Sequence, residues 1–207
     1  MNKFVFFVLA VFLCISAGCN PRESIEAILT GDYVVGTISG NNFESEWLGL
    51  RFTAPDGFVM ASQQEIMEMM QLGLDMLDAD GATVAWAEMA TVSEMMAMLP
   101  DATASASLIT ERLLLSGITI EQYVATSFQQ LEEMTGWDIT FNNDITEIDF
   151  AGNTWHTYTA NIHAFGVNYS YQYIIHKFGN RMAIISIYSL LGEEENIDIL
   201  MNAFQSY

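Results

Sequence analysis

The chain has 207 residues, 51% of them apolar, and sets 26 acidic side chains against six Lys and Arg for a formal net charge of −20. That balance excludes nucleic-acid binding, which needs cations to neutralise phosphates, and predicts repulsion from an anionic lipid surface. The length suits one domain of ordinary size, able to hold a core without disulfides or metals.

Residues 1–18 read as an export signal. Lys3 supplies the positive start, and Phe4 to Ile15 is an apolar run too short to cross a bilayer as a helix. Ser16-Ala17-Gly18-Cys19 then has the layout of a lipoprotein cleavage site. Small residues at Ala17 and Gly18 admit a peptidase, although Ser16 stands where leucine is commoner. Cys19 is the expected lipidation site and new N-terminus. Cys14 would leave with the signal, so the mature chain has a single cysteine and no internal disulfide. Each buried methylene contributes only ~0.8 kcal/mol, so firm anchoring needs two or more palmitate-like acyl chains. The expected arrangement is a lipid anchor at Cys19, a short tether to residue 30, and one domain over 31–207 on the extracytoplasmic face of a membrane.

Tyr33–Ile38 and Phe43–Trp47, around Gly40-Asn41-Asn42, read as a hairpin, and Leu48–Ala54 as a third strand before Pro55-Asp56-Gly57. Ser62-Gln63-Gln64-Glu65 has capping-box spacing, and Ile66, Met69, Met70, Gly73 and Leu77 follow with helical period. Asp78-Ala79-Asp80-Gly81 reads as the turn that stops this helix. As a calcium loop it fails, because Met76 and Ala87 would fall at the first and last ligand positions. Thr83–Met89 fits a strand, Ser93–Leu99 a short helical turn, and Ser105–Leu115 another strand. Thr119-Ile120-Glu121-Gln122 opens a second helix with Tyr123, Val124, Phe128, Leu131 and Met134 on its apolar stripe.

The last third alternates most clearly. Trp137–Phe141, Ile145–Phe150, Thr154–Ile162, Val167–Lys177 and Arg181–Tyr188 are strand-length runs divided by turn residues. Val167, Tyr169, Tyr171, Tyr173 and Ile175 fall on one face of their strand. Short turns between successive strands require antiparallel pairing. A final helix over Glu193–Phe204 places three glutamates at its positive end. The sum is an α+β domain, an antiparallel meander covered by about three helices.

The stretch Gly36 to Phe58 adds a resemblance. Phe43-Glu44-Ser45 leading to Gly49-Leu50-Arg51-Phe52-Thr53-Ala54-Pro55-Asp56-Gly57 is similar to the opening of PsbP-like lipoproteins of Gram-positive bacteria. Phe58 stands where that family more often has tryptophan. The resemblance implies an α/β/α sandwich around a central antiparallel sheet. The wider superfamily is mostly binding proteins, so it implies no catalytic residue set.

No catalytic or metal constellation emerges from the residues themselves. Gly36-Thr37-Ile38-Ser39-Gly40 has one residue too many before the serine for a nucleophile elbow. His156, His163 and His176 lie on or beside strands without a helical metal motif. The methionines stand out: Met60, Met67, Met69, Met70, Met76, Met89, Met95, Met96 and Met98 crowd one segment. Core packing explains most of them, and Cu(I) ligation is the alternative that thioethers allow. The helix is apolar over more than one face, which singles out Met67, Met70 and Leu74, with Met95, Met96 and Met98 beyond, as a candidate partner surface. The resulting expectation is a non-enzymatic, membrane-tethered module without cofactor that binds a protein or peptide. The alternative is a Cu(I)-handling lipoprotein.

Overall fold

The computed structural model describes residues 33–76, 90–113, 117–135, 137–142, 144–164 and 166–207, with backbone alone over 72–76 and 130–135. Cys19, the tether, the Asp78–Gly81 turn and the strand expected over 83–89 lie outside these residues, as does the side chain of Leu74.

The chain runs β1 (Thr37–Ser39), β2 (Asn42–Ser45), β3 (Leu50–Thr53), β4 (Val59–Met60), α1 (Gln63–Met76), β5 (Thr91–Met98), β6 (Ala104–Arg112) and α2 (Ile120–Thr135). It continues through β7 (Asp138–Phe141), β8 (Thr146–Phe150), β9 (Asn153–Ala164), β10 (Val167–Phe178), β11 (Arg181–Leu190), α3 (Glu195–Asn202) and β12 (Phe204–Ser206). All strand pairs are antiparallel. A large sheet has the order β4-β5-β6-β11-β10-β9-β7, with β8 also pairing β9. A small sheet has the order β1-β2-β3-β12.

The local signals for α1 and α2 act as expected. The Ser62 backbone N–H donates to Glu65 Oε2 at 2.7 Å while Ser62 Oγ accepts the Glu65 N–H at 3.3 Å. Thr119 and Gln122 repeat this reciprocal cap on α2, at 3.2 and 3.1 Å. On β10, Tyr169, Tyr171, Tyr173 and Ile175 face α2 as the alternation predicts. Tyr158 and Tyr171 each stack on Tyr173, with centroids 4.9 and 5.6 Å apart, and Phe128 of α2 meets Tyr158 and Tyr173 edge-on.

Helices cover both faces of the large sheet, which makes the domain α+β with an α/β/α layering. Met96, Ser107, Ser186 and Tyr173 stand in one cross-strand line. Met96 packs on Ile66 of α1 and Tyr173 on Phe128 of α2, so these two helices share a face. The opposite face carries Met95, Leu108, Ile174, Ile185 and Ile187, roofed by Leu200 of α3 and by Phe43, Phe52 and Phe204 of the small sheet.

Three expectations need correction. The segment 93–99 is no helical turn, since Thr91–Met98 is strand β5. Pairing with β6 on one side and β4 at one end overrides the modest helical preference of Met and Ala. The single antiparallel meander is divided, since the N-terminal hairpin belongs to a separate four-stranded sheet packed on the large one. The last helix ends at Asn202, and Phe204–Ser206 turns into β12 against β3, with Phe204 and Phe52 rings 4.7 Å apart.

Candidate functional site

Strand β5 carries two contrasting environments, divided by a bulge. The β5–β6 register shifts between Ser93 and Met95, leaving Glu94 as the extra residue. Alternation is thereby broken. Glu94 and Met95 both turn to the face roofed by the small sheet, while Ser93 and Met96 point toward α1.

Glu94 is fully buried. Oε1 accepts a short hydrogen bond from the Tyr33 hydroxyl, and Oε2 accepts the Gly36 backbone N–H at 2.8 Å. Tyr33 spends its proton on Glu94, so at 2.7 Å the Thr110 hydroxyl is the donor to the Tyr33 oxygen. The Arg181 guanidinium sits 3.9 Å from the Tyr33 ring centroid, and Trp47 meets the same ring edge-on at 5.0 Å. Burial pushes the Glu94 carboxyl up, opposed by the hydrogen bonds from Tyr33 and Gly36 and by the charge of Arg181. Burial, and then the charge of Glu94, raises the Tyr33 phenol in turn. This cluster clasps residues 33–36 onto the sheet. Sequence reasoning did not find it. The one signal was a lone glutamate inside the apolar run 92–99.

On the other face, α1 and β5 enclose a groove of about 480 Å³. Gln63, Ile66, Met67 and Met70 form one wall; Thr91, Val92 and Ser93 form the other. Met67 is 63% exposed, whereas Ile66 is buried beneath it. The Ser93 hydroxyl donates to Met70 Sδ at 3.8 Å. Thr91 Oγ1 is buried and has no hydrogen-bond partner among the described residues. Leaving such a hydroxyl unmatched costs roughly 1–3 kcal/mol.

The methionines chosen from sequence therefore divide. Met67 and Met70 meet in the groove. Met96 is buried under α1 with Ile66 and Ala61, and Met98 is partly packed there. Met95 is buried in the opposite core. Met95 and Met96 thus form no partner surface, because strand geometry sends them to opposite sides and both sides are roofed. The same division separates the thioethers considered as Cu(I) ligands.

The three histidines do not converge. His156 is opposite Ile175 on the α2 face, with Nε2 3.9 Å from Glu147. His176 lies on the other face against Trp155 and Phe178, its Nδ1 2.8 Å from the Thr154 carbonyl oxygen. Burial, first of all, pulls His176 below its ordinary value. His163 is exposed near the far end of β9, its Nδ1 2.8 Å from Asn168 Oδ1. Among the described residues no group of three or more His, Cys, Asp and Glu is placed to hold a metal ion.

No family model matches the chain, and no curated protein is significantly similar to it in sequence. Solved structures resemble it in chain path. A cyanobacterial PsbP (CyanoP) from Synechocystis aligns over 86% of this chain and 99% of its own, at 10% identity and TM-score 0.49. LpqN, involved in cell envelope biogenesis of Mycobacterium tuberculosis, aligns over 90% of this chain and 98% of its own, at 8% identity and TM-score 0.42. A protein from Bacteroides thetaiotaomicron aligns over 82% of this chain and 49% of its own, at 13% identity and TM-score 0.41.

Proposed function

We propose that this is a lipid-anchored, extracytoplasmic, PsbP-like module that acts without catalysis, binding a protein or peptide in the groove between α1 and β5. The groove carries the reading: an exposed methionine wall faces a buried hydroxyl that no described residue matches. Thioether side chains are soft and adaptable, which suits a surface that repacks around an incoming segment. The Ser16-Ala17-Gly18-Cys19 pattern supports the anchor. No described helix is long and apolar enough to cross a membrane, and the lipid would supply the attachment.

Two measurements on the expressed chain test this reading. Cys19→Ser should abolish incorporation of labelled palmitate and release the chain from the membrane fraction. A photo-crosslinking residue at Met67 should yield a defined adduct, whereas one at Val59, also exposed but outside the groove, should not. Palmitate retained by the Cys19 variant rejects the anchor, and equal labelling from both positions rejects the groove.

A further inference from the structure

We infer that the outer edge of β5 accepts an extended, cationic segment of a partner protein as an added strand. This rests on the groove reading above and specifies the chemistry of the occupant.

The backbone makes the first part of the case. β4 pairs only with Ala97 and Met98. Beyond it, the Ala61 N–H reaches the Met96 carbonyl at 2.9 Å, and Gln63 Nε2 reaches the Glu94 carbonyl at 3.3 Å. From Thr91 to Ser93 the strand has β6 on one side and no strand on the other among the described residues. An unpaired edge is a template for another chain, and the groove runs along this part of it. Three residues of strand span about 10 Å, enough to set register but short enough to keep the contact reversible.

Side chains supply the rest. Thr91, which lines the groove, carries a buried hydroxyl oxygen that has no partner among the described residues, independently of the open edge. Met67, Met70 and Ile66 form an apolar wall suited to alternate aliphatic side chains of the incoming strand. Charge selects the other alternate set. The groove lining itself carries no charged side chain, so the selection comes from its surroundings, where Glu65 and Glu68 stand exposed on α1. With a whole-chain charge of −20, a segment alternating Lys or Arg with Val or Ile is the complementary partner.

The test titrates the full chain, purified in detergent, with a fluorescent heptapeptide alternating Lys and Val, read by anisotropy at low salt. N-methylating the peptide nitrogens that would face β5 should weaken binding roughly tenfold or more, while methylating the opposite alternate set should change it less than about twofold. A Glu-for-Lys peptide should bind at least about tenfold more weakly. Thr91→Val should lose several-fold in affinity while the chain stays folded. Equal effects of the two methylation patterns, no binding at millimolar peptide, or equal binding of the glutamate peptide overturns the inference. Those failures leave the groove itself intact as a site. Tight binding unaffected by the double variant Met67→Gln, Met70→Gln removes both the inference and the groove reading together.

Discussion

Glu94 and Thr91 lie on one strand, three residues apart, and both are buried, yet the fold treats them oppositely. Glu94 receives hydrogen bonds on both oxygens and stands in the field of a guanidinium. The Thr91 hydroxyl has no hydrogen-bond partner among the described residues. Strand alternation makes the difference, since residues an odd number apart fall on opposite faces and Glu94 lies beneath the small sheet while Thr91 lies toward α1. A fully matched buried group fixes a structure, because each of its partners suffers when it is removed. An unmatched one leaves a vacancy that binding can fill. The clasp therefore belongs to stability and the groove to recognition, and substitutions in the two should differ in sign.

The largest expected effect is Glu94→Ala. It strips the acceptor from the Tyr33 hydroxyl and the Gly36 amide, leaving two donors unmatched at a cost of about 1–3 kcal/mol each in urea unfolding. Glu94→Gln, which retains an acceptor oxygen, should lose clearly less. Equal stability of the alanine variant and the parent would place the clasp among incidental contacts.

Gly36→Ala should come next. A Cβ there would lie 2.3 Å from Cε2 of Phe43 and 2.9 Å from the carbonyl oxygen of Glu44, and the second of these cannot rotate away. Overpacking of this kind costs about 1–3 kcal/mol. It should also loosen the Gly36–Glu94 bond, so a double variant with Glu94→Ala should lose less than the sum of the singles. Strict additivity would show that residues 33–36 and Glu94 do not act together.

Acidity provides a smaller and more specific test. Burial raises the folded-state Glu94 carboxyl above its ordinary 4.5. The folded chain then holds this proton more tightly than the unfolded one. The associated stability is fully present below the unfolded value and is lost as pH rises through the raised one. Glu65, whose carboxylate is held down by bonds from Ser62, works the other way and loses its contribution as pH falls. Glu94→Gln should remove the decline above pH 4.5 and leave the acid limb of the profile unchanged. An unaltered profile would mean that Glu94 titrates as it does in the unfolded chain.

Much of this architecture is written locally. The caps at Ser62 and Thr119, the alternation of β10 and the turns between β9, β10 and β11 each depend on residues within a few positions, and all stand where the pattern put them. The misreadings share one cause. β5 has the composition of a helix and is held as a strand by β6, while β12 exists only because β3 is there to receive it. The clasp joins positions 61 and 77 residues apart, Tyr33 to Glu94 and Tyr33 to Thr110, a distance no local pattern spans. Of the candidate surface, Met67 and Met70 were legible because helical period places Met70 one turn beyond Ile66 and Met67 beside that stripe, on one side of α1. Met95 and Met96 were not, because a bulge reverses the face on which each side chain falls.

Thr91→Val gives the smallest change and the most telling sign. The substitution exchanges a buried hydroxyl that has no partner among the described residues for a methyl group of similar size. Removing a buried polar group together with its unmet hydrogen bond is neutral or stabilising, so unfolding should shift by 0 to about +1 kcal/mol. Valine also suits a strand position at least as well as threonine. Stability gained there at the expense of binding is the signature of a group kept for a ligand, since no described residue hydrogen-bonds to it. A loss above about 1 kcal/mol in the absence of any partner would show that the hydroxyl already has a structural role, and the contrast with Glu94 would disappear.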